Sequence, residues 1–370
     1  MMVNLERYFF PSWMFIFISG VLIAFDNISS FFFMICVQLY LISFGFINIH
    51  YAFNSRKNVE KSQFEEYFIN EIITGILFFC LAVYYPFLFT GIPSEIKSQF
   101  YFHLWDSLTV HLLCWKIYLY FSKKNNIKKN RGFPYSIWKM IIIGMHNEED
   151  DSRLDLKRKI MHFLTSAGVV GAYLLSAKVN SWLLGFGLTG EYITRYIWVV
   201  FGIHLIWIMN IQDLIRLTQF NRLGRFATRW LENSIRPKEL NTFTSAAIML
   251  LSWLPFVLAP FQVMMAAALI GANSDAMASI LGKRFGKKKI NSSKKTYVGL
   301  IAGGLSTILI INITHIILPF QNLNIIQIQI LSLITAIAFM GIDYFVKNIS
   351  DNFLNPIICG GIIWFFMSIF

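Results

Sequence analysis

Apolar runs of span length alternate along this chain with short polar and basic stretches. A bilayer-spanning helix needs about 20 consecutive, mostly apolar residues. Eleven spans are predicted by that measure: 9–25, 29–50, 69–90, 101–121, 159–177, 192–212, 242–259, 260–281, 297–319, 325–346 and 353–370. Only Asp26 and Asn27 separate the first two, so a tight hairpin is expected there. The eighth carries Asn273, Ser274 and Asp275 inside its apolar run and is expected to be broken or to line a cavity. The fold class read from the pattern is all-α: a polytopic integral membrane helical bundle of about 11 transmembrane helices.

Composition excludes the main alternatives. Of 370 residues, 56% are hydrophobic and 14% charged, against about 25% charged in ordinary soluble domains. A soluble enzyme of this size needs more polar surface. With 37 Phe and 10 Trp, the chain is equally far from a disordered composition. Met1 to Gly20 is apolar but lacks a small-residue cleavage site, so it reads as a retained span and not a signal peptide. Cys36, Cys80, Cys114 and Cys359 each sit in an apolar run with no CxxC pair, which argues against zinc or a disulfide framework.

The charge then sets an expected orientation. Lys and Arg number 32 against 20 Asp and Glu, for a net charge of +12. The cations cluster in loops after spans two, four, six and eight: Arg56 to Lys61, Lys123 to Arg158, Arg216 to Lys238, and Lys283 to Lys295. All come after even-numbered spans and so share one face. The positive-inside rule makes that face cytoplasmic, with the N-terminus inside and the C-terminus opposite. The chain is thereby divided into three segments: an N-terminal membrane region of about four helices over 1–121, a polar, irregular cytoplasmic linker over 122–156, and a catalytic membrane domain of about seven helices over 157–370.

Topology explains most of the basic loops but not the polar groups within spans or at their ends, which are costly in lipid and mark function by default. His103, Asp106 and His111 in span four read as interhelical or water-facing hydrogen-bonding groups. At the start of span five, Asp155 to His162 brings together Lys157, Arg158 and Lys159, with Arg158 and His162 on one face at i, i+4. In and after span eight, Asp275 precedes Gly282, Lys283, Arg284, Gly286, Lys287, Lys294, Lys295 and Gly299. A bound polyphosphate with Mg²⁺ requires such a set. Oxygen ligands hold the metal, cations neutralise phosphate, and glycines let backbone amides approach. The Walker pattern GxxxxGK[ST] is absent. Asp213 with Arg216, and Arg236 with Glu239, have the spacing of simple ion pairs. Asp351 and Asn352 open span eleven, either as a helix cap or, with Asp343, as further ligands for Mg²⁺.

Together these segments resemble the CTP-dependent polyprenol kinases: dolichol kinase, phytol kinase and the CTP-using diacylglycerol kinases, within a broader phosphatidate cytidylyltransferase-like group. Leu156 to His162 resembles their basic ELxRKxxH helix. Asp275 to Lys287 resembles GDxxAxxxGxxFGK, Lys294, Lys295 and Gly299 resemble the KS/KT…G segment, and Asp351-Asn352 with Pro356 resembles DNxxxP. The similarity covers roughly 155–370. Ser274 stands where the family has Gly, Leu300 comes after Gly299 where a small hydroxyl is common, and Asp343 stands where a Glu is expected. Neither His-Gly-Gly nor Asp-Arg-x-Asp, the cytidylyltransferase marks, is present.

The resemblance implies transfer of the γ-phosphate of CTP to a polyprenol hydroxyl, with Mg²⁺ as cofactor. Asp275 and Asp351 are the implied metal ligands. Ser274, Gly282, Lys283, Arg284, Gly286, Lys287, Lys294, Lys295, Gly299 and Asn352 are implied to bind the nucleotide. Arg158 and His162 would orient the acceptor or the transferred group, and Asp213 or Glu239 would be the base. The implied partners are CTP, a membrane lipid alcohol and the bilayer, in the endoplasmic reticulum or a prokaryotic cytoplasmic membrane. A homodimer through the first four spans is compatible with this; nucleic acid is not expected. The alternatives are a CDP-lipid synthase acting on a phosphatidate-like lipid and, further off, a transporter.

Overall fold

A computed structural model describes residues 30–55, 61–90, 92, 94–129, 135–147, 151–180, 184, 189–223, 225–235, 239–243, 245–290, 295–346 and 349–370. Among these the regular elements are helices. They are α1 (Ser30–Ser55), α2 (Lys61–Tyr84), α3 (Ser94–Lys129), α4 (Tyr135–Asn147), α5 (Asp151–Lys178), α6 (Gly190–Gln219), α7 (Arg225–Ser234), α8 (Ser245–Ser252), α9 (Phe261–Leu269), α10 (Asp275–Phe285), α11 (Tyr297–Ile317), α12 (Ile325–Phe345) and α13 (Asp351–Ile369). The chain is thus an all-helical, multi-pass membrane protein.

Seven described segments are long and apolar enough to cross a membrane: Phe31–Asn54, Phe68–Phe87, Gly190–Arg222, Phe261–Phe285, Tyr297–Ile317, Ile325–Phe345 and Asp351–Ile369. The predicted span 9–25 lies outside the described residues. Of the other three predicted spans, 101–121 and 242–259 are corrected. Residues 101–121 are helical within α3 but too polar to qualify, and 159–177 are helical within α5, with several side chains outside the described set. Residues 242–259 are not one helix, because α8 stops at Ser252 and gives way to a short 3₁₀ turn, Leu254–Val257. Pro255 and Pro260 lack the N–H groups that a continuing helix needs. The segment 122–156 is helical where described, running through the end of α3, α4 and the start of α5. Trp138 and Ile142, one turn apart, are both buried and give α4 an inward stripe.

The chain forms two compact units that interleave in sequence: 1–151 with 200–247, and 152–199 with 248–370. Residues 200–247 therefore cluster with the N-terminal helices and not with the rest of 157–370. In the first unit α1 packs against α2 and α3. A Cβ on Gly45 would stand 3.0 Å from the Gly75 carbonyl oxygen, so small residues set this close approach. Trp207 of α6 packs edge-on to Tyr40 at 5.3 Å and tilted against Phe44 at 4.5 Å. Asn48 donates to Asn210 one turn further along.

In the second unit α9 runs through a π-turn, Ile270–Ser274, directly into α10. The expected break is thus an extra residue within one continuous helix. Every side chain of α9 is buried, against α11 and α13. Helix α11 starts at Thr296, whose hydroxyl accepts from the Gly299 amide at 3.2 Å. Helix α12 starts with a reciprocal cap between Asn324 and Gln327. The outward faces of α11 and α12 carry exposed Leu305, Leu309, Ile316, Ile326, Leu333 and Ile337, as lipid contact requires.

Candidate functional site

Asp275 is the first residue of α10, immediately after the π-turn. Such turns insert one residue into a helix and often occur at functional sites. Its carboxylate forms an ion pair with Lys159 of α5, which is buried. Two turns along α5, the Ser166 hydroxyl donates to Asn273 Oδ1 at 2.7 Å. Lys159 and Ser166 therefore tie one face of α5 to the π-turn. On the other side, Thr307 of α11 donates to the buried Ser274 hydroxyl at 3.0 Å.

A second ion cluster centres on Lys295. Its ammonium lies 2.9 Å from Asp343 Oδ1 and 3.3 Å from Asp351 Oδ2. The start of α11, the end of α12 and the start of α13 thus meet at one end of the unit. Burial works against the Lys295 charge, but Asp351, Asp343 and then Asp275 outweigh it and hold the ammonium above its ordinary pKa. A raised lysine pKa contributes stability that is complete below about pH 10 and is lost only as pH climbs through the folded value. Amine-reactive esters attack only the neutral form. At pH 8.5 Lys295 should therefore acylate at least about tenfold more slowly than exposed Lys287. Peptide mass spectrometry after timed labelling reads the ratio, and equal rates would remove the assigned carboxylate cluster.

Glycines bring α10 against α11. A Cβ on Gly282 would stand 2.9 Å from Thr296 Oγ1 and 3.1 Å from the Gly299 Cα, and one on Gly299 would stand 2.6 Å from the Ala278 carbonyl oxygen. Gly286 is equally confined by Thr296 and the Gly282 carbonyl. Backbone bonds Ile290 N to Lys295 O (2.9 Å) and Tyr297 N to Lys288 O (3.2 Å) close the connecting loop. Gly299→Ala is expected to cost about 1–3 kcal/mol by overpacking, seen as a lower midpoint in thermal unfolding in detergent. An unchanged midpoint would mean that the two helices separate without cost.

The cations of this loop divide in two. Lys295 turns to the carboxylates, whereas Lys283, Arg284, Lys287, Lys288 and Lys289 lie on the exposed surface. Arg284 sits over the Phe285 ring and Lys288 over Tyr297. Lys294 lies outside the described residues.

Asn352, one residue into α13, is buried, and its backbone N–H donates to the Asp351 carboxylate at 3.0 Å. Pro356 offers no N–H to the Asn352 carbonyl four residues back. Ser252 Oγ lies 3.3 Å from that carbonyl and 2.6 Å from that of Met249, sharing its one proton. Pro356 also packs against Gly271 of the π-turn, where the Trp253 indole nitrogen approaches as well. The buried Oδ1 atoms of Asn352 and Asn355 and the Trp253 Nε1 have no hydrogen-bond partner among the described residues. Each such atom costs its desolvation penalty.

Asp213 and Glu239 belong to the first unit and lie around Arg216. The Arg216 guanidinium is fully buried. It donates to Asp213 Oδ1 (2.9 Å), Tyr135 Oη (3.1 Å) and the carbonyls of Glu239 (3.1 Å), Leu240 (3.0 Å) and Thr242. The i, i+3 ion pair allowed by the spacing is present, and Glu239 contributes its backbone oxygen. Burial raises the Tyr135 phenol above its ordinary pKa. The side chains of Arg158 and His162 lie outside the described set. His111 packs near His204 at 6.2 Å, and His204 bonds Ser107 at 2.7 Å. Among the described residues, no three His, Cys, Asp or Glu side chains gather to hold a metal by themselves.

Lys159 is the residue that sequence reasoning leaves out of the site. Its signal is one cation among four at the start of α5, and nothing local distinguishes it from Arg158. Comparison of the chain with family models, curated proteins and solved structures returns no match.

Proposed function

We propose that this chain is a CTP-dependent lipid kinase that moves the γ-phosphate of CTP to the hydroxyl of a polyprenol-like membrane alcohol. The observation that carries this is Asp275: a carboxylate within a membrane-crossing segment, ion-paired to a buried lysine. Ionisable groups at such depth are expensive and are kept for function. Support comes from Asp343 and Asp351 around Lys295, and from the glycine contact between α10 and α11.

The donor set suits a hard cation, because its described members are carboxylate oxygens. Mg²⁺ commonly takes one or two protein carboxylates and completes its shell with water and substrate phosphates. That fits a chain with no three-residue ligand group among its described side chains. Asp275 and Asp351 would hold it, and it would supply charge neutralisation on the phosphates.

Phosphoryl transfer needs positioning and charge balance more than covalent help from the protein. Lys159 and Lys295 would take phosphate oxygens, a role supported by their ion pairs with the carboxylates. Lys283, Arg284, Lys287 and Lys294 would attract the nucleotide through their positive charge. Arg158 and His162 are assigned to the acceptor side. The bond from the γ-phosphorus to the β-bridging oxygen breaks, a bond to the lipid oxygen forms, CDP leaves with the bridging oxygen, and the hydroxyl proton is released to water. Asp213 and Glu239, engaged around Arg216, are given no proton to move.

Incubating purified protein with γ-labelled CTP and a polyprenol should yield CDP and labelled polyprenyl phosphate. Pyrophosphate together with a CDP-lipid from phosphatidic acid would replace this function with cytidylyl transfer. Uptake of a solute into liposomes without nucleotide would replace both.

A further inference from the structure

Two lysines occupy the carboxylates that the kinase assignment gives to a metal. Lys159 is buried and salt-bridged to Asp275, and Lys295 bridges Asp343 and Asp351. These five groups, two ammoniums and three carboxylates, carry a net charge of −1 when all are ionised. The field of Asp275 also reaches Lys295, so the two pairs belong to one electrostatic neighbourhood.

A bare divalent cation faces a difficulty here. To reach Asp275 it must take the carboxylate from Lys159. That would leave a buried ammonium with neither water nor counter-charge, an arrangement proteins tolerate poorly. A polyphosphate removes the difficulty. Its oxygens accept the ammoniums while the cation takes the carboxylates, so every ion exchanges one opposite charge for another.

We propose that Lys159 and Lys295 are resident counter-ions that close the carboxylate site to a metal ion alone and admit it together with a polyphosphate. Resting on the assignment of Asp275 and Asp351 as metal ligands, this makes metal and polyphosphate binding mutually dependent. Lys159 has two successive partners, Asp275 first and phosphate afterwards. The coupling is reciprocal, as thermodynamic linkage requires.

Mn²⁺ titrations read by electron paramagnetic resonance test this on full-length protein in detergent, with and without inorganic triphosphate as the probe. The wild type should bind Mn²⁺ weakly alone and at least about tenfold more tightly with triphosphate. In Lys159→Met the two effects should cross. Mn²⁺ alone binds more tightly than in wild type, because Asp275 has lost its competitor. The triphosphate enhancement shrinks, because an ammonium is missing. Lys159→Arg should retain the coupling. Lys295→Met, at a half-exposed position, should show the same crossing and covers the case where the Lys159 variant does not fold. A purely structural lysine would weaken both titrations together, and that result, or unchanged titrations, overturns the proposal. Intact crossing with no phosphate transfer to any alcohol would sink the kinase assignment and leave the counter-ion role standing.

Discussion

Asp275→Asn should lower phosphate transfer by about a thousandfold, the scale on which removing one preorganised electrostatic partner acts. The same change should also destabilise the protein. Lys159 keeps its charge inside the unit but loses its carboxylate, and breaking a buried pair from one side costs about 3–5 kcal/mol. The two effects separate in a double variant. Asp275→Asn with Lys159→Met removes both charges, and its unfolding midpoint should return most of the way to that of the wild type. Its transfer activity should not return. Thermal unfolding in detergent and the γ-labelled CTP assay, run on the same preparations, read the two axes. Full activity in Asp275→Asn would end the assignment of Asp275 to the reaction. An unchanged midpoint would end the ion pair's structural part.

Arg216→Met is expected to be the most damaging substitution in the first unit. The guanidinium satisfies a carboxylate, a phenol and three carbonyls at once. Methionine fills much of the volume and none of the bonds, so Asp213 loses the guanidinium and the Glu239 and Thr242 carbonyls lose its donors. The expected loss is about 3–5 kcal/mol, visible as poor yield and an early thermal transition. Arg216→Lys should recover less than half of it, because a point charge cannot reproduce a planar fork that serves five acceptors. Asp213→Asn should cost less than Arg216→Met, since Arg216 retains its carbonyl partners. A wild-type melt for Arg216→Met would mean that residues 239–242 are held by other contacts.

The spans are legible in the sequence because twenty apolar residues in a row need no tertiary information. All seven described membrane-crossing segments coincide with predicted runs. Residues 242–259 mislead because hydropathy ignores Pro255 and Pro260, each of which lacks a helix N–H. Helix α4 escapes notice because a stripe such as Trp138 and Ile142 is faint within a charged stretch. Asp275 is legible from its depth alone. Its partner is not, because Lys159 lies 116 positions away and spacing rules reach only one or two turns. The division of the cations is equally hidden. Lys283 and Lys295 look alike in sequence, and only folding directs one outward and the other to two carboxylates.

The π-turn at Ile270–Ser274 acts as a reading frame for everything beyond it. Each residue added to a helix rotates the remainder of that helix by about 100°, so the extra residue decides which way α10 faces. Deleting Ala272 would leave an ordinary α-helix of adequate span, one that still inserts into a bilayer. It would also turn Asp275 away from Lys159, Ser274 away from Thr307 and Gly282 away from Thr296 in a single step. The length of this segment is therefore fixed to the residue, although no side chain in the deleted position takes part in the chemistry.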